Sequence, residues 1–242
     1  GADIRMLYSP LDAINLAINH PDKKIVFFAI GFETTAPVHM MALKEAMRRK
    51  LENFYLLTSL FTVPPAIEAI LSDPESRVNG FLTAGHVCAV TGNGAYHHLA
   101  KKYKTPMVVT GFEPADLLLG IYRCLLQLEA GIYKVENAYK RAVPEGGNLP
   151  ARALMEETLE LYDQEWRMGA IPKSGLRLKE IFARQDASYL LLAPDTEAYK
   201  KCLDDPASSV EKRQCIAGDI MRGTKQTKDC PFFGTLCTPE HP

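Results

Sequence analysis

Short apolar runs alternate with amphipathic stretches through the first 130 residues of the chain. The runs are DIRMLY (3–8), KIVFFAI (24–30), FYLLTSLF (54–61), GFLTA (80–84) and PMVVT (106–110). Each is bounded by Pro, Gly or polar residues and is apolar almost without a break. That is the pattern of a strand buried on both faces of a parallel sheet. Helix-start signals fill the intervals. Ser9-Pro10 with Asp12 supplies an N-cap, a proline at the first helical position and an acid in the first turn. Thr34 and Thr35 can cap a helix running from Ala36 to about Lys50, Pro64-Pro65 opens AIEAIL, and Asn93 can cap AYHHLAKKY. Strand and helix in strict alternation predict an α/β fold for residues 1–131, a doubly wound parallel sheet with right-handed crossovers.

The alternation fades after Gly131. Residues 132–193 are read as a helical and loop connection packing on that core. Within it ARALMEETLELYDQEW (151–166) predicts one amphipathic helix, and MGAIPKSGLRL a loop. From residue 194 to 242 the chain is polar and cysteine-rich, with little apolar material of its own. Such a segment needs a metal or the main domain to order it.

Composition narrows the function classes. With 242 residues, 47% hydrophobic and 24% charged, the chain has the make-up of a soluble globular protein. A formal net charge of −1 gives no basic field for nucleic acid. No apolar run approaches the roughly 20 residues that span a bilayer. The opening GADIRMLYSP has neither the basic leader nor the apolar core of a signal peptide, and it lacks an initiator Met. It is read as part of a longer, cytoplasmic chain.

Gly-Phe-Glu follows an apolar run twice, at Gly31-Phe32-Glu33 and at Gly111-Phe112-Glu113, and Gly85-His86-Val87 follows a third. Ligands of open α/β sheets bind beyond the carboxyl ends of the strands, where loops enter helix N-termini. A glycine there permits a sharp turn or a close approach. On one sheet edge, Glu33, His86 and Glu113 would surround a single crevice, with Gly31, Phe32 and Gly85 shaping it and Thr34 and Thr35 adding hydroxyls. An acid in a first helical turn also serves the helix dipole without any ligand, which is the plainer account of Glu113. His86 has a plain account too, as a histidine satisfied by backbone groups. Because the two threonines already provide capping, Glu33 is the stronger functional candidate. His39, His97 and His98 read as helix-face residues, and no histidine spacing matches a zinc site. The glycines form neither G-x-G-x-x-G nor a Walker loop, and there is no Gly-x-Ser-x-Gly elbow.

Six cysteines are unevenly spread. Cys88 and Cys124 lie in apolar surroundings and read as packing, while Cys202, Cys215, Cys230 and Cys237 crowd the end. Clustered thiolates suit a soft metal site, and the Phe-Phe-Gly between Cys230 and Cys237 would shield an iron–sulfur cluster. Zinc remains the other reading, although zinc sites usually pair cysteines two to four residues apart. A second function class therefore stays open: a small-molecule or phosphate-binding α/β module whose tail holds a structural zinc.

GFETTAP, AGHVCAVTG, VVTGFEPADLL, the VEN-x-Y-x-R-x-V run with its trailing Gly-Asn, and CPFFGTLCTPEHP occur in order along the chain. Together they resemble the hydrogenase formation protein HypD family. The resemblance implies a cytosolic maturation factor for [NiFe]-hydrogenases, a scaffold with a redox role rather than a turnover enzyme. With the partner HypC, such proteins carry the iron that acquires CO and two cyanide ligands, HypE supplies cyanide, and the hydrogenase large subunit is reached indirectly. Glu33, Thr34, Thr35 and His86 would then line the face that meets the Fe(CN)2CO unit, managing hydrogen bonds and protons. Gly31, Phe32, Gly85 and Glu113 would complete that face. Cys215, Cys230 and Cys237 match ligands of a [4Fe-4S] cluster whose fourth ligand this sequence does not contain. The family's Cys-Gly-Gly-His and Gly-Pro-Gly-Cys-Pro-x-Cys elements have no match in it either.

Overall fold

The computed structural model describes residues 3–166, 169–191 and 215–240. Helix α1 (Pro10–Asn19) starts where the sequence predicts it, with Ser9 Oγ accepting from Leu11 N at 3.2 Å, and buries Ala13, Ile14 and Ala17. Strands β1 (Ile25–Phe32) and β2 (Phe54–Phe61) pair in parallel from Ile25↔Phe54 to Phe32↔Phe61. Helix α2 (Ala36–Arg48) lies with α1 on one face of this pair, where Ala29, Met40, Leu43, Leu56 and Leu60 are fully buried.

Helix α3 (Val63–Ser72) leads to a second sheet. Its strands β3 (Phe81–Ala84), β4 (Met107–Thr110) and β5 (Val135–Asn137) are all parallel, in the order β3-β4-β5. Helices α4 (Gly85–Thr91), α5 (Gly94–Tyr103) and α6 (Pro114–Glu129) connect them. Strand β4 is buried along its whole length, and a second core gathers Ile67, Cys88, Tyr96, Leu99, Met107 and Val109. Helix α7 (Leu149–Thr158) packs on both α2 and α4, so it bridges the two units.

Three expectations are corrected. The first is the single parallel sheet: there are two, and the first is mixed, in the order β1-β2-β7-β6. Strand β6 (Leu159–Trp166) and strand β7 (Gly169–Leu178) form an antiparallel hairpin, and β7 pairs antiparallel with β2. The second is the helix over 151–166, which stops at Thr158, whose hydroxyl donates to Leu154 O at 2.7 Å. Beyond it Leu161, Asp163 and Glu165 face solvent while Tyr162, Gln164 and Trp166 turn inward, which is period two, not 3.6. The expected loop MGAIPKSGLRL is, from Gly169 on, the partner strand. Its Gly175 lies so close under Tyr162 that a Cβ would sit 2.5 Å from the ring. Third, DIRMLY forms no strand: Ile4, Met6 and Tyr8 are at least 90% exposed, and among the described residues no strand supplies them a ladder.

Short elements follow: a 3-10 turn (Glu180–Gln185), α8 (Ser188–Leu191), α9 (Ala217–Met221) and a second 3-10 turn (Thr227–Asp229). Cys202 lies outside the described residues. No helix among those residues is long and apolar enough to cross a membrane.

Candidate functional site

Strand β1 ends in Gly31-Phe32, and Gly31 has a φ of +143°, where a Cβ would collide with Thr35 Oγ1. The turn is closed by Thr35, whose N and Oγ1 donate to Phe32 O at 3.1 and 3.2 Å. Neither threonine caps α2 through its side chain, contrary to expectation, and Thr34 is exposed. This turn throws Glu33 inward, where it is 3% exposed. Its Oε1 accepts from Val63 N at 2.9 Å. Pro64 and Pro65 have no N–H, so the start of α3 offers few donors and Glu33 takes one of them across 30 residues of chain. Oε2 is buried without a partner. Burial pushes the Glu33 pKa up to about 7, against the backbone N–H groups that favour the charged form.

The second Gly-turn pair builds a different surface. Helix α4 begins at Gly85, and exposed His86 stacks on Phe112 with ring centroids 4.9 Å apart at 17°. Tyr139 meets His86 edge-on at 6.0 Å. The Tyr139 ring lies over both turn glycines: a Cβ at Gly85 would come within 2.5 Å of it, and one at Gly111 within 2.8 Å. Arg141 lies over that ring at 4.5 Å and is held by Asp116 through two bonds of 2.6 Å and by Glu113 through a third of 2.6 Å. The Arg141 guanidinium holds the Asp116 carboxyl below the usual carboxylate range. Glu113 is an ion-pair partner of Arg141, a local role in keeping with its plainer account.

Glu33 and the His86–Glu113 surface close the ends of different sheets. Glu33 sits at the end of the mixed sheet and faces inward, while His86 and Glu113 stand at the end of the parallel sheet and face out. No hydrogen bond, ion pair or aromatic contact among the described residues joins Glu33 to either. Sequence reasoning missed Asp116, Tyr139 and Arg141 as parts of this surface, although the last two lie in the VEN-x-Y-x-R run. It read Cys88 as packing, and the residue is fully buried in the second core.

In the tail, Cys230 and Cys237 share one tight loop, in which Cys237 N donates to Phe232 O at 2.8 Å and Gly234 N to Cys237 O at 3.0 Å. Cys215 stands before α9 and opens onto a cavity of about 330 Å³ with Asp73, Asp219 and Arg222 in its wall. Among the described residues no three His, Cys, Asp or Glu side chains are grouped to hold a metal ion. The donor chemistry of three thiols suits an iron–sulfur cluster, but the described residues do not gather it, and no step is derived through one.

The pattern defining the family described as "HypD: Hydrogenase formation hypA family" matches residues 1–242. The hydrogenase maturation factor HypD of Azotobacter vinelandii is 41% identical over 249 residues, covering all of this chain and 63% of that protein. Those of Cupriavidus necator (40%, all of this chain, 63% of the relative) and Escherichia coli (38%, 99% of this chain, 62% of the relative) are similar in the same way. This chain thus spans about 63% of the length of the curated relatives it matches. An α/β protein with a buried carboxyl behind one strand and an aromatic–ionic surface behind another two is the class that the geometry defines. The chain belongs to the HypD hydrogenase formation family.

Proposed function

We propose that the protein of which these residues form the α/β core and cysteine tail acts in [NiFe]-hydrogenase maturation, as a cytoplasmic scaffold and redox component for assembly of the Fe(CN)2CO unit. The match to the HypD family along all 242 residues carries this reading. HypC and HypE are the proposed partners. The iron unit is cargo, and the GFETT turn is the part of this chain proposed to serve it. Glu33 holds a proton on the side of its carboxyl away from Val63, in a site from which water is excluded, and at a pH where release and uptake are both facile. Cyanide nitrogens and thiols both exchange protons or hydrogen bonds when iron is loaded, which is the chemistry such a group serves. Thr34 and His86 are the exposed members proposed to meet cargo or partner. A [4Fe-4S] cluster held in part by Cys215, Cys230 and Cys237 is the proposed redox group of the intact protein, and it supplies or stores single electrons when bound.

The experiment is complementation of a hydrogenase-deficient strain with the intact protein carrying Glu33→Gln. The amide keeps the bond from Val63 N and removes the exchangeable proton. Hydrogenase activity should fall well below wild type with the protein present at normal level. Full maturation by the variant would reduce Glu33 to a distant cap on α3. Anaerobically purified intact protein should contain iron and absorb near 400 nm (a rough expectation for thiolate-bound clusters); colourless, zinc-only protein would favour the small-molecule module with a zinc tail.

A further inference from the structure

Strand β1 ends the mixed sheet, and among the described residues no strand pairs with its outer edge. Ile25 N donates to Asn53 O at 2.8 Å, so the odd positions of this parallel ladder turn their amides to β2. Val26, Phe28, Ile30 and Phe32 turn theirs outward. Their side chains are 40–59% exposed, on the sheet face away from α1 and α2. DIRMLY has the same unfinished character. Leu7 packs against the core that α1 and α2 cover, while Ile4, Met6 and Tyr8 are at least 90% exposed. That is the period two of a strand with one face toward the helices and the other bare.

The handedness of crossovers says where such a strand belongs. Helix α1 joins DIRMLY to β1, α2 joins β1 to β2, and both helices lie on one face. Right-handed connections on one face step in one direction across a parallel sheet. DIRMLY therefore belongs beyond the outer edge of β1, on the side away from β2. Yet both segments are described and no ladder joins them. We propose that the intact protein inserts one more parallel strand between DIRMLY and β1, drawn from the part of its chain outside these 242 residues. The five unbroken apolar runs of the sequence are DIRMLY itself and β1 to β4, so none is spare for that place. Relatives have the length for it: the match leaves more than a third of the Azotobacter vinelandii protein outside. A right-handed crossover from the inserted strand back to DIRMLY steps the opposite way, so its helix lies on the bare face. It covers Val26, Phe28, Ile30 and Phe32 there, as parallel strands require on both faces. The helices after β1 and after the inserted strand then diverge to opposite faces, and at that point open α/β sheets bind ligands. Exposed Thr34, in the GFETT turn, becomes one wall of a crevice whose other wall is the turn after the inserted strand. The bearing of that crevice on the iron cargo rests on the maturation reading above.

The test is amide hydrogen exchange in the intact protein, alone and at a concentration where it is monomeric, resolved to single residues. The amides of residues 4–8 and the outward amides of Val26, Phe28 and Ile30 should exchange about a hundredfold or more slowly than unstructured ones, as the amides of β2 do. Free exchange at these positions in the folded monomer overturns the proposal. Protection that appears only as concentration rises gives the edge to a second copy. Protection that appears only when HypC or HypE is added gives it to a partner, and either result overturns the proposal too. Ile4→Ala and Met6→Ala in the intact protein supply a second reading. Side chains buried under the added helix should each lower the urea midpoint by about 1 M on truncation, whereas an unchanged midpoint means that they stay exposed and counts against the strand. None of these measurements involves hydrogenase, so an open edge would overturn the strand and leave the maturation reading in place.

Discussion

Glu33 accepts one hydrogen bond and leaves its other oxygen in the interior, so folding favours the protonated acid. Below pH 4.5 the carboxyl is protonated in folded and unfolded chains alike and costs nothing. Between 4.5 and about 7 the unfolded chain ionises while the folded one does not, and stability falls. Above the folded value the penalty is constant, about 3 kcal/mol for a shift of this size. Buried His39 acts in the opposite sense, because burial lowers its pKa and stability recovers as it loses its proton. The difference between wild type and Glu33→Gln isolates the carboxyl: the variant should gain on wild type progressively from pH 4.5 to 7 in urea melts. A difference that stays flat across that window would mean that Glu33 is not neutral inside. At Gly85 the constraint is steric. A Cβ there would sit 2.5 Å from both Thr110 O and the Tyr139 ring, and the first of these is backbone that cannot swing aside. Gly85→Ala should cost about 1–3 kcal/mol in the same melts, as overpacking does, and should displace Tyr139 from His86, seen as altered tyrosine near-UV dichroism.

Four of the five apolar runs became strands, and α1 began at the proline that announces it, because buried strands and capped helix starts are encoded locally. The β6–β7 hairpin was not legible in that way. LELYDQEW continues a helical charge pattern, and its strand form depends on pairing with β7, which β2 in turn holds at Leu60 and Phe61. At the site, the GFETT turn was legible as special, but the direction of Glu33 was not, since it is set by Gly31 and by a helix start 30 residues on. Strand β1 teaches the same lesson from the other side. Its unbroken apolarity reads as burial on two faces, yet Val26, Phe28, Ile30 and Phe32 are 40–59% exposed along one side of an edge strand. Such a ribbon invites association. The chain should bind a hydrophobic dye and self-associate as concentration rises, and Phe28→Lys with Ile30→Lys should suppress both while leaving far-UV dichroism unchanged. If the double variant associates as readily, the ribbon is not the sticky surface.

At the scale of the whole molecule, the hydrogen bonds that tie the cysteine tail to the α/β core among the described residues centre on Arg222. Arg222 reaches Asp73 at the end of α3 with a 2.6 Å bond across 149 positions of sequence, and Asp219 in its own segment with one of 2.5 Å. Its carbonyl accepts from Arg77 N at 2.8 Å, so backbone and side chain hold the same point. The segment has no buried apolar residue in α9 to share the load. Removal of the guanidinium should therefore release the tail without touching either hydrophobic core. Arg222→Gln should speed amide exchange and protease cleavage in residues 215–240, with exchange in β1, β2 and β4 unchanged. Acid should do the same to wild type late in a titration. The Arg222 bond, then the bond from Glu75 N, hold the Asp73 carboxyl below its ordinary 3.8, so the tie is whole above that value and fails only as pH falls through the lowered one. Asp73→Asn keeps an acceptor but loses the charge, and should loosen the tail less than Arg222→Gln. Uniform protection of the tail in the Gln variant would place the anchorage elsewhere, and a tail that loosens together with the core strands would show that the two parts unfold as one.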